Sequence, residues 1–403
     1  MEAAQSAAAL GTDRSLRAAH RLLVWTFGLL IVGVIIGIGW DRSWHTQHAF
    51  DTFYSPPHLF IYSVATVTTL LAAGLALLPP LRRPFGLTMR LPLLRFAVPA
   101  ALVLLLGGFA TLGLAGLLDN LWHSTFGLDE TGWSTPHAMI GWALLGITWG
   151  FVACRLALRP ARPVPGYTLV FLSLILVMLS VAPFMGPLGS NNTPAIIAAI
   201  HRFPVLAAQP AAAHTARIEL AWNLTHSNPL LVPLGALWLG TILALLRALD
   251  PRPWVALTAI TLWSALGWAG DHGTVQAVVQ LGLAPAALLT DRAGWLPLPL
   301  LPAALACWLV RRVTRREGIA WAAAGVVFGV LALATWGPQP AGWAGPLLIA
   351  AALLAGLGAA LGRRIGAVLL HPDGRTVPWL VLLGVAVPGL TGLVDLWLRT
   401  VTP

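Results

Sequence analysis

Charge is what this chain lacks most: only 9% of its 403 residues are Asp, Glu, Lys or Arg, against about 25% in a soluble globular protein. No long charged or low-complexity tail interrupts the sequence, which argues against a large soluble domain. Lysine is missing altogether, so the net charge of +10 comes from 24 arginines. Most of them sit in short loops between apolar runs, a pattern of membrane topology rather than a phosphate-binding stripe, and nucleic acid is excluded as a partner. Cysteine is nearly absent as well. Cys154 and Cys307 both lie within apolar runs, so number and placement exclude a disulfide framework and leave packing as their role. The first apolar run ends in Gly39-Trp40-Asp41-Arg42 rather than in a small-residue cleavage site, which favours a retained helix over a signal peptide.

Hydrophobic residues make up 58% of the chain. Apolar runs of about 18 residues or more recur along its length, and such runs read as membrane spans. Spans are expected at 19–40, 57–79, 96–118, 136–158, 167–188, 230–249, 253–270, 295–311, 318–337, 343–363 and 376–397. The expected fold is therefore all-α, a polytopic integral membrane bundle of eleven helices in the lipid bilayer. Residues 273–290 form a further apolar stretch, which Gly282 and Pro285 mark as re-entrant or interfacial. The organisation reads as a cytoplasmic tail at 1–18, two helix hairpins over 19–165, a third at 166–250 with a long loop at 189–229, and scaffold or partner-docking helices at 251–403.

Arginine placement orients the bundle. With the N-terminus inside and the C-terminus outside, 19 of the 24 arginines fall on the inner side, as the positive-inside rule requires. This fits a bacterial inner membrane. A full span at 273–290 would put the Arg311–Arg316 cluster outside. Histidine goes the other way. His45, His48, His58, His123, His137, His201, His214, His226 and His272 are outer, and only His20 and His371 are inner. Topology gives histidine no such preference, so the asymmetry calls for a chemical explanation. The tryptophans near span ends need none, being the usual interfacial belt.

Two outer loops carry the same constellation. The first reads Asp41, Trp44-His45, Asp51 and Ser55-Pro56-Pro57-His58; the second reads Asp119, Trp122-His123, Asp129 and Ser134-Thr135-Pro136-His137. The copies are displaced by 78 residues, or 79 at the Pro-His pair. Asp41 and His45 stand at i and i+4 on one helix face, and His48 at i+7 extends it. Pro57 and Pro136 suit the first turn of the following helix, with His58 and His137 at its start. Each hairpin can thus converge a carboxylate and two imidazoles, a set suited to copper, zinc or non-haem iron. Without nearby cysteine it is not a thiolate zinc site. Behind the six candidates Asp41, His45, His58, Asp119, His123 and His137 stand His48, Asp51 and Asp129, as an added ligand or as carboxylates orienting one. Glu130 has no counterpart in the first copy and reads as solvated.

The pattern resembles the metal-binding helical subunit of the copper membrane monooxygenases, the particulate methane and ammonia monooxygenase family. In that family the subunit has an Asp-x3-His-x12-His copper site in one hairpin, matched by Asp41, His45 and His58. It has an Asn-x3-His-x13-His site in the next, matched by Asp119, His123 and His137 with Asp replacing Asn. The likeness covers 19–158 and reaches faintly to about 250; the helices after 253 have no counterpart in it. It implies copper as cofactor, oxidation of a small apolar substrate by oxygen, and assembly with other monooxygenase subunits or with copies of itself. The Asn-to-Asp change adds a negative charge that bears on which metal the second site takes. The residues alone leave two other readings: a copper permease or delivery protein, disfavoured by the scarcity of ionisable residues at mid-membrane, and a membrane hydrolase using zinc-bound water. No general acid or base can be assigned. The loop at 189–229 contributes His201, His214, Glu219, Asn223 and His226. Of these His226, shortly before the next span, is a further ligand candidate, and the loop reads equally well as a lid.

Overall fold

In a computed structural model, the protein is described over residues 2–45, 52–86, 88–91, 96–126, 135–158, 231–252, 254–262, 265, 280–281, 300–335 and 342–382. The helices are α1 (Glu2–His45), α2 (Pro56–Leu77), the single turn α3 (Pro79–Arg82), α4 (Ala100–Phe126), α5 (Thr135–Ala157), α6 (Leu231–Leu249), α7 (Leu300–Thr314), α8 (Glu317–Thr335) and α9 (Ala344–Leu370), with shorter helical runs at 254–262 and 377–382. Among the described residues seven helices have the length and apolarity to cross a membrane: α1, α2, α4, α5, α6, α8 and α9. The chain is thus mostly helical, with the makings of an integral membrane protein. The expected span at 167–188 lies outside the described residues, and those at 253–270, 295–311 and 376–397 are described only in part. Helix α7, the described part of the span expected at 295–311, has 15 residues, about 22 Å of helix against a hydrocarbon core of about 30 Å.

Two features depart from the sequence reading. Helix α1 starts at Glu2 and takes in most of the segment read as a tail. Between α2 and α4 the chain makes a small antiparallel ribbon, β1 (Thr88–Arg90) with β2 (Ala97–Pro99), in which Met89 faces Val98. Strands of three residues are too short to show a period of two.

Helix packing follows membrane logic, in which small residues face inward and large apolar ones face lipid. On α9, Ala351, Ala355, Gly358, Ala359 and Gly362 are buried. Ile349, Leu353, Leu357 and Leu361 on the opposite side are exposed. A Cβ on Gly358 would overlap the Leu237 carbonyl oxygen, and one on Gly362 the Thr241 carbonyl oxygen. These pairs advance together in sequence, so α6 and α9 run parallel. Helices pointing the same way are separated by an odd number of crossings, and 253–270, 295–311 and 318–337 supply three. Glu317 ties this end together. Its carboxylate meets Arg247 of α6 at 3.0 Å, Arg311 of α7 at 3.4 Å and Arg363 of α9 at 3.5 Å.

The first hairpin is set by glycines. A Cβ on Gly33 would overlap Val64, and a Cβ on Gly37 would overlap Ile61. The α1 position rises by four as the α2 position falls by three, the signature of antiparallel helices in close register. One further step reaches Asp41 and His58. In the second hairpin Gly150 meets Leu105 and Gly108 meets Ile147. Carried to the helix ends, that register brings position 119 level with positions 136 and 137.

Candidate metal centre

Asp41 lies in the last turns of α1, and His58 in the first turn of α2, whose first two residues are Pro56 and Pro57. Proline suits that turn because its missing N–H would have no helical partner there. His58 is 3% exposed, and its Nε2 sits 3.0 Å from Oδ1 of Asp41. Its Nδ1 lies 3.1 Å from the Thr52 carbonyl oxygen. The same carbonyl accepts from the Ser55 N–H at 2.9 Å, closing the turn that leads into α2.

A carbonyl only accepts, so Nδ1 carries the hydrogen and donates to Thr52. In a neutral imidazole Nε2 is then the lone-pair nitrogen, facing a carboxylate oxygen that is also an acceptor. Two acceptors 3.0 Å apart hold together only around a positive charge, which is either a proton on Nε2 or a bound cation. A metal fits on both counts. Ligand distances of about 2.0–2.2 Å place two adjacent ligand atoms about 3 Å apart. A metal-binding histidine also typically donates its other N–H to a backbone carbonyl or carboxylate.

Around this pair lies an aromatic shelf. Tyr62, one helical turn after His58, has its ring centroid 6.0 Å from the imidazole, and Phe53 stacks on it at 4.5 Å. The Tyr62 hydroxyl crosses to α4 and donates to Oδ2 of Asp119 at 2.7 Å. Gly116, one turn before Asp119, makes room: a Cβ there would already touch the Tyr62 ring at 3.4 Å. Asp119 is 1% exposed, and a carboxylate buried among apolar helices is costly without such donors.

The other candidates divide by position. His45 continues α1 four residues after Asp41; His123 lies on α4 four residues after Asp119; His137 lies in the first turn of α5. Their backbones thus take the helical placements expected, while their side chains lie outside the described residues. His48, Asp51, Asp129 and His226 lie outside them altogether, as do His201, His214 and Glu219. Among the described residues no three His, Cys, Asp or Glu side chains come together. What the geometry does join is the carboxylate of α1 to the imidazole of α2, and the second candidate carboxylate to Tyr62 of the first hairpin. Sequence reasoning missed Tyr62. The signal was there, since tyrosine occurs three times in the chain and Tyr62 stands at i+4 from His58. Comparison with models of known families, with curated proteins and with solved structures found no match.

Proposed function

We propose that this is a copper-binding integral membrane protein, similar in role to the metal-binding helical subunit of the copper membrane monooxygenases, that oxidises a small apolar substrate with oxygen. The observation that carries the reading is the Asp41–His58 pair, two acceptors 3.0 Å apart with Nδ1 of His58 committed to Thr52. His45, at i+4 from Asp41, is the third ligand. Asp119, His123 and His137 make the second site. The Tyr62 hydroxyl orients Asp119, and Phe53 and Tyr62 keep water from the buried imidazole of His58. Copper held there supplies one-electron redox chemistry toward oxygen, and an apolar substrate reaches it from the bilayer. The topology that accompanies this reading has eleven spans, N-terminus in and C-terminus out, in a bacterial inner membrane with the metal motifs on the outer face. Further subunits or copies of the same chain complete the assembly.

Metal analysis of protein expressed in copper-replete medium and purified in mild detergent tests the reading. Stoichiometric copper with a paramagnetic resonance spectrum of mixed nitrogen and oxygen ligation is expected. Stoichiometric zinc or iron without copper refutes the oxygenase, and zinc transfers the same ligands to a hydrolase.

A further inference from the structure

At the arginine-rich end of the bundle, away from the Asp/His motifs in sequence, α6, α7, α8 and the run 254–262 enclose a cavity of about 270 Å³. Leu243, Leu257 and Ala304 give it apolar walls, while Arg247, Arg252, Arg311 and Arg312 line it beside a single carboxylate, Asp250. Asp250 is engaged by Arg252 through a two-pronged hydrogen bond. Glu317 is shared among Arg247, Arg311 and Arg363. Arg312 has no carboxylate partner among the described residues; its guanidinium lies over the Trp308 ring at 5.4 Å. The lining is therefore net cationic, and its negative charges are already taken.

A second observation points the same way. Trp321 lines the cavity, is 5% exposed, and its indole N–H has no acceptor among the described residues. A buried indole N–H ordinarily finds one. Guanidinium forks and an indole donor beside apolar walls match an anionic, oxygen-rich head attached to hydrocarbon. Lipid-accessible residues continue from the site: Trp254 and Leu309 are each 47% exposed and Val313 is 83% exposed. A soluble anion would use the arginines and leave the apolar walls unexplained.

We propose that this cavity is a specific site for an anionic phospholipid, with the phosphate held chiefly by Arg312 and Arg311, Trp321 donating to a headgroup oxygen, and the acyl chains lying along α7. The inference does not depend on the metal site.

The test uses the full chain, delipidated in a non-ionic detergent, with lipid retention followed by native mass spectrometry. Dioleoylphosphatidylglycerol is expected to be held about tenfold more tightly than dioleoylphosphatidylcholine, the scale of one to two added cationic contacts. Arg312→Gln is expected to abolish most of that preference while leaving phosphatidylcholine retention and helical content unchanged. Trp321→Phe, which keeps the ring and removes the donor, should weaken phosphatidylglycerol retention by a smaller factor. Equal retention of the two lipids by the unaltered protein, a comparison that needs no variant to fold, overturns the proposal. So does an undiminished preference in Arg312→Gln. Displacement of phosphatidylglycerol by an equal concentration of inorganic phosphate also overturns it, by showing a soluble anion to be the occupant.

Discussion

Replacing Gly37 with alanine should wedge the first hairpin open, whereas the same change at Gly28 on the same helix should do no harm. A Cβ at Gly28 meets nothing within 4 Å; at Gly37 it overlaps Cγ1 of Ile61 and comes within 3.2 Å of Cδ1. Ile61 is β-branched and stiff about its first torsion, and Gly33 is pressed against Val64 one turn below, so the helices cannot simply slide. Overpacking of this kind costs about 1–3 kcal/mol. Both substitutions gain about 1 kcal/mol of helix propensity, and that gain cancels between them. Gly37→Ala should therefore unfold more easily than Gly28→Ala by about 1–3 kcal/mol in a mixed-micelle denaturation. It should also bind metal more weakly, because Asp41 and His58 lie one step beyond the wedge. Ile61→Ala removes the overlapping atoms and leaves its own Cβ 3.7 Å from the new one, an ordinary contact. The Gly37→Ala/Ile61→Ala pair should recover metal binding, with a coupling of about the same 1–3 kcal/mol in the double-mutant cycle. If Gly37→Ala behaves as Gly28→Ala does in both measurements, the glycine-set register is wrong.

Tyr62→Phe removes one hydrogen bond to a buried carboxylate and keeps the ring stacked on Phe53, so it should cost about 1.5–3 kcal/mol in the same denaturation; an unchanged midpoint would mean that α2 and α4 are not joined at Asp119. The hydrogen bond from Arg252 holds the Asp250 carboxyl below the usual carboxylate range. A depressed folded value means that this stabilisation is present above the ordinary carboxylate range of about pH 4 and is lost as pH falls through the folded value. Denaturation midpoints of the unaltered protein and Arg252→Gln should accordingly differ at about pH 7 and converge on acidification. For topology, an impermeant maleimide added to cells should label His48→Cys and spare Val313→Cys in a background without Cys154 and Cys307; the reverse pattern would invert the bundle.

The first hairpin was legible because everything that sets it is local. Aspartate and histidine at i and i+4, a proline-started helix and a short connection bring α1 and α2 together at Asp41 and His58. Arginine bias likewise carried the run of helices, and the parallel packing of α6 and α9 agrees with it. Contacts between non-adjacent helices were not legible. Tyr62 reaches Asp119 only because α2 packs on α4 and Gly116 leaves space, and neither fact has a periodic signature. In sequence the arginines read as topology signals alone. Their convergence on one cavity depends on where α6, α7 and α8 end relative to one another, which the Glu317 ion pairs reveal and the sequence does not. The glycines could be counted from sequence, but which of them touch a neighbour could not. Gly28 and Gly37 look alike until the partner helix is in place.

The central claim is that Asp41 and His58 are ligands to one metal ion rather than an isolated ion pair. The most direct test is copper per chain after identical chelator washing, measured for the unaltered protein, Asp41→Asn and His58→Ala, with helical content confirmed in each. Loss of a ligand or of its supporting partner typically costs about 10- to 100-fold in affinity. Each variant should therefore retain substantially less copper than the unaltered protein, and neither change should unfold the bundle. Undiminished copper in both folded variants would contradict the account and leave the 3.0 Å contact as a carboxylate–imidazolium pair.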